Sequence, residues 1–81
     1  MEKTWLDGLK KLCSDLAWKN IVDIHSRELE FFIEETEWAI TLIESEEDTE
    51  TMVSTFRWQQ ARVMEQMLKT YIKRFHIILD I

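Results

Sequence analysis

The chain has 81 residues and a net charge of −6; 46% of its residues are hydrophobic, 32% are charged, none is proline and one is glycine. That length allows one domain with a small core, and the apolar content excludes a disordered chain. The scarcity of glycine and proline excludes an all-β fold, whose tight turns need them. One cysteine excludes an intramolecular disulfide and fits a reducing compartment.

No apolar run approaches the ~18 residues of a membrane span. The opening MEKTWLDGLKKL lacks the apolar run of a signal peptide. The expected location is cytoplasmic. Charge is unevenly placed. Residues 1–20 carry four lysines against Glu2, Asp7 and Asp15. Residues 21–51 carry eleven acids against Arg27, and residues 52–81 carry five bases against Glu65 and Asp80. A negative middle and a positive end suit an antiparallel hairpin whose helices attract. The net negative charge disfavours non-specific nucleic-acid binding.

Thr4 is a candidate cap for a first helix over about 4–19, with Asp7 in its first turn. Trp5, Leu9, Leu12 and Leu16 recur at helical spacing, flanked by Leu6 and Cys13. Gly8 inside this pattern costs ~1 kcal/mol relative to alanine and suggests close approach of another backbone. Asn20 suits the helix end.

The central helix is expected over about 21–45, starting at Asn20 in preference to Ser26. On a helical wheel Val22, Leu29, Phe32, Ile33, Thr36, Ala39, Ile40 and Ile43 fall in one sector. Glu30, Glu34, Glu37 and Glu44 form an acidic sector. Ile24, Phe31, Trp38 and Leu42 gather almost opposite the first sector, with the first three spaced by sevens like a coiled-coil seam. A monomer with one core needs only the first sector, so this second seam calls for cover. The first helix or another chain can supply it.

The run SEEDTET at 45–51 reads as a short acidic loop, with a last helix over about 49–79. Val53, Phe56, Gln60, Val63, Met64, Met67, Tyr71, Phe75 and Ile78 share one face and are expected to bury it. Arg57, Arg62, Lys69 and Lys73 make a basic stretch, with Trp58 among the bases on the far side.

The chemistry-bearing residues form no known catalytic pattern. Cys13 lies on an apolar flank with no histidine near it in sequence, which reads as a buried thiol rather than a nucleophile. One glycine is too few for a phosphate-binding loop or a nucleophile elbow. His25 and Glu28 are three apart but lack the inward glutamates of a helical metal site. No enzyme activity, cofactor or metal is expected.

The expected architecture is therefore all-α: a single domain over 1–81, a three-helix bundle built on a long antiparallel hairpin, and oligomeric. The expected function is a non-enzymatic protein-interaction module, a self-associating adaptor or inhibitor with a protein partner. Ile24, Phe31, Trp38 and Leu42 would form its interface, with Trp18 and Trp58 as exposed anchors and the glutamate row as an acidic face. One alternative is nucleic-acid binding through Arg57, Arg62, Lys69 and Lys73. Another is acidic mimicry of nucleic acid by the glutamate row.

Overall fold

The computed structural model describes residues 3–45 and 52–79. Three helices follow in order: α1 (Lys3–Lys19), α2 (Arg27–Glu44) and α3 (Met52–Arg74). A short π-helical segment, Asn20–Ile24, follows directly on α1. No strand occurs among the described residues. No described helix is long and apolar enough to cross a membrane. The all-α three-helix bundle read from the sequence is the fold. The acidic loop and the expected helix start at Thr49 lie outside the described residues.

Successive helices run antiparallel. Asn20 meets Ser26 at one end of the α1–α2 pair, and Lys10 reaches Glu44 at the other (2.8 Å). Tyr71 meets Ser26 where α2 begins, and Arg57 donates to the Leu42 carbonyl near where α2 ends (3.4 Å). The molecule measures 40 × 22 × 18 Å. At 1.5 Å per residue the 23 residues of α3 span about 35 Å, most of the long dimension.

The core takes Leu6, Leu9, Cys13 and Leu16 from α1 and Leu29, Ile33, Ala39, Ile40 and Ile43 from α2. From α3 it takes Trp58, Ala61, Leu68 and Tyr71. The first sector of the central wheel is thus the buried one. Thr36 sits within it, fully buried, and its hydroxyl donates to the Phe32 carbonyl (2.7 Å), so no polar atom there is stranded. Thr4, the expected cap, falls inside the first turn of α1.

Two boundaries differ from the sequence reading. The central helix starts at the later of the two starts considered. Residues 20–24 continue from α1 as a π turn, closed by the His25 amide donating to the Asn20 carbonyl (2.8 Å). His25 then takes a left-handed conformation (φ 56°) that reverses the chain. Ser26 caps α2, its hydroxyl accepting from the Leu29 amide (3.2 Å), and Glu28 and Glu30 favour the positive end of the helix dipole. The last helix ends at Arg74, not near Leu79. His76 is left-handed (φ 53°); its amide donates to the Lys73 carbonyl, and the Ile77 amide donates to the Ile72 carbonyl (3.0 Å). This is the double hydrogen bond of a Schellman stop, with histidine where glycine is usual. Ile77 and Leu79 then pack back onto the core.

Gly8 does not mark a close approach. A Cβ built there meets nothing within 4 Å. Gly8→Ala is therefore expected to stabilise the fold by about 0.5–1 kcal/mol, read as a higher urea midpoint at unchanged slope.

Asn20 is buried, and its side chain clasps the backbone of Ser26 twice. Its Nδ2 donates to the Ser26 carbonyl (3.0 Å) and its Oδ1 accepts from the Ser26 amide (2.8 Å). Asn20→Ala strands both backbone groups and is expected to cost about 1–3 kcal/mol. Urea unfolding checks this; a loss under 0.5 kcal/mol would show that the clasp is not needed.

Candidate interaction surface

The second seam of the central wheel comes apart at the π turn. Ile24 lies before the left-handed His25, so the seven-residue phase linking it to Phe31 is broken. Ile24 is half-buried against the core. Phe31 and Trp38 remain in line on α2, 55% and 59% exposed, and Leu42 is half-buried. α1 does not cover them. It packs over the Ile33 and Ile40 side of α2, where Cys13, Lys10, Glu37 and Glu44 border one cleft. Ala17, Ile21, Glu30 and Glu34 border a second cleft on that side.

α3 is rotated from its expected face. Its buried side runs through Trp58, Ala61, Leu68 and Ile72. Phe56, Val63, Met67, Phe75 and Ile78, expected in the core, are exposed. The cause is α1. The Trp5 ring packs on Trp58 (5.6 Å between centroids), and its indole N–H donates to the Glu65 carboxylate (3.0 Å). The Arg62 guanidinium lies 5.7 Å over the same Trp5 ring, a cation–π contact. These contacts turn the Trp58–Glu65 side of α3 inward. Trp58 is therefore 7% exposed and is not a surface anchor. Its buried Nε1 has no hydrogen-bond partner among the described residues. Trp18 is exposed (68%), but on α1, away from Phe31 and Trp38.

The rotation opens a groove of about 570 Å³ between α2 and α3, on the side away from α1. Phe32 and Tyr71, packed edge to face at 6.3 Å, belong to its lining. Val63, Met67 and Phe75 line it from α3, with Arg62 and Arg74 also from α3 and Glu28 from α2. Phe31, 5.9 Å from Phe32, extends the apolar surface outward along α2. Tyr71 is fixed by its hydroxyl donating to Ser26 Oγ (2.7 Å) and by Phe75 at 4.5 Å.

The charged rows lie elsewhere. Glu30, Glu34 and Glu37 are exposed along the α1 side of α2, and Glu44 is paired with Lys10. That hydrogen bond and its Coulomb attraction raise the Lys10 ammonium above the ordinary lysine pKa. The bases of α3 do not form one open row. Arg57 donates to α2, Arg62 covers Trp5, and Lys69 pairs with Glu65 (3.6 Å), while Lys73 is exposed. No three His, Cys, Asp or Glu side chains converge on a metal-sized site among the described residues. Sequence reasoning missed Val63, Met67, Phe75 and Tyr71 as surface residues. Their spacing is that of an ordinary core stripe, and only the Trp5–Trp58 contact shows otherwise.

Cys13 is 1% exposed, and burial pushes its thiol up to about 12, with the Glu37 carboxylate adding to the rise. A raised value disfavours the thiolate, the reactive form. At pH 8 a thiol reagent is expected to label Cys13 only as fast as the chain unfolds. Immediate labelling of the native protein would contradict this burial.

Comparison of the chain with protein-family models, with curated proteins and with solved structures finds no match.

Proposed function

We propose that this chain is a non-enzymatic protein-interaction module, a small acidic adaptor or inhibitor that binds through the open face of its α2–α3 hairpin. One observation carries the reading: large apolar side chains of both helices stay exposed around a groove that α1 leaves uncovered. Grouped exposed aromatics on a small protein mark a contact surface more often than chance. A groove between two helices is a shape into which an apolar helix face fits. The floor is held by the Tyr71–Ser26 hydrogen bond, so a partner meets a preformed surface rather than one it must order. The reading takes the chain to be cytoplasmic, a compartment that suits its one buried thiol.

The test is a Phe31→Ala/Trp38→Ala double variant. Both positions are more than half exposed, so the fold should lose little stability and helicity should be unchanged. Tagged wild-type chain, incubated with native-host extract, is expected to retain a protein, be it another protein or an untagged copy of itself. The double variant should retain it at least tenfold less, the loss typical of an aromatic hot spot. Equal retention by both forms would overturn the reading.

A further inference from the structure

We infer that the occupant of this groove is the same face of a second copy, packed about a two-fold axis parallel to the hairpin. The inference rests on the interaction-module reading and names its partner.

The amount of apolar surface is the first reason. Phe31, Trp38 and Phe75 border or extend the groove, and Phe56, Val63 and Met67 stand on one side of α3. An aromatic side chain carries about 150–250 Å², and these are roughly half exposed, so the six leave on the order of 600 Å² of apolar surface per copy. The largest patch on a typical monomer is ~300–600 Å², and a stable interface covers ~800 Å² per partner. Adding the polar rim brings this face to that size.

The charge pattern is the second reason, and it selects the partner. α2 carries six acids and one base, and α3 carries five bases and one acid. Glu28, in the first turn of α2, and Arg74, the last residue of α3, both line the groove at the end fastened by the Tyr71–Ser26 hydrogen bond. One face therefore holds an acidic rim and a basic rim at the same height. An axis parallel to the helices lays α2 of one copy over α3 of the other, with Glu28 facing Arg74 twice. An axis across the helices lays α2 on α2, acids on acids. Like charges brought together oppose the second arrangement, and opposite charges favour the first. The result is a four-helix layer, a common way to bury two hairpin faces, with each α1 on the outside.

Sedimentation equilibrium of the whole chain tests this. The expected mass is twice the 9.9 kDa of one chain at about 10–100 µM, the range in which modest interfaces are half-occupied. Glu28→Arg alone and Arg74→Glu alone should each weaken association at least tenfold. Mixed in equal amounts, the two variants should recover wild-type association, because each altered charge then meets its opposite across the interface. Val63→Glu, at an exposed position of the apolar face, should give a monomer with unchanged far-UV circular dichroism. A wild-type chain that stays monomeric at about 100 µM overturns the inference. So does a mixture that fails to recover. A monomer that still retains another protein through Phe31 and Trp38 overturns the dimer but leaves the interaction-module reading standing. If nothing is retained either, both fall.

Discussion

The arrangement depends on a small hydrogen-bonded node at the start of α2. Asn20 closes the π turn through its carbonyl and clasps the Ser26 backbone through its side chain. Ser26 in turn caps α2 and accepts from Tyr71 of α3. Four elements meet there: α1, the π turn, α2 and the far end of α3. Buried hydrogen bonds of this kind add modestly to stability, yet they are costly to leave half-made. The node therefore acts more on geometry than on total energy. It sets where α1 ends, which way α2 leaves, and the height at which Tyr71 meets Phe32. The groove floor follows from that height.

Much of the fold was legible in the sequence for one reason. The Leu29–Ile33–Thr36–Ile40–Ile43 sector is a clean helical stripe, and the stripe is what packs. Charge segregation also pointed correctly to an antiparallel hairpin. The breaks were harder to read. Helix ends are usually flagged by glycine or proline, and this chain has one glycine, inside α1. Its left-handed positions are instead held by His25 and His76. Histidine is among the residues that enter that region more readily than most, but it leaves no mark distinctive enough to read. Missing the break at His25 carried a second error with it. A wheel drawn through residues 20–45 keeps Ile24 in phase with Phe31, and the real chain does not.

The rotation of α3 has a different origin. Its apolar residues wrap more than half its circumference, so periodicity alone allows several orientations. Trp5 decides among them. Turning the Phe56–Val63–Met67 side inward would move Trp58, Ala61 and Leu68 out of the core. It would also lose the Trp5–Trp58 packing and the Trp5–Glu65 hydrogen bond. Those contacts link α1 and α3 over a sequence separation of about sixty residues, so no local pattern announces them. The same contacts explain why the basic stretch is not one surface. Arg62 and Lys69 stand beside Trp5 and Glu65, committed in part to the α1–α3 junction.

A bundle of three helices needs each helix to turn one stripe inward. Here α2 and α3 each carry a second stripe, and α1 lies on only one side of the pair. The apolar surface left over is therefore not a defect of packing that a better rotamer would repair. Covering it within one chain would require a fourth helix, and the segment after Arg74 does not supply one. It stops at a Schellman turn and sends Ile77 and Leu79 back to the core at the end of the bundle. The buried indole N–H of Trp58 points the same way. Leaving it without an acceptor costs about 1–3 kcal/mol in a domain with little stability to spare. The fold carries that cost and keeps Val63 and Met67 outside, although an inward turn of α3 would have relieved it. An exposed face maintained against such a cost is what distinguishes a surface made for contact from apolar residues scattered singly over a monomer.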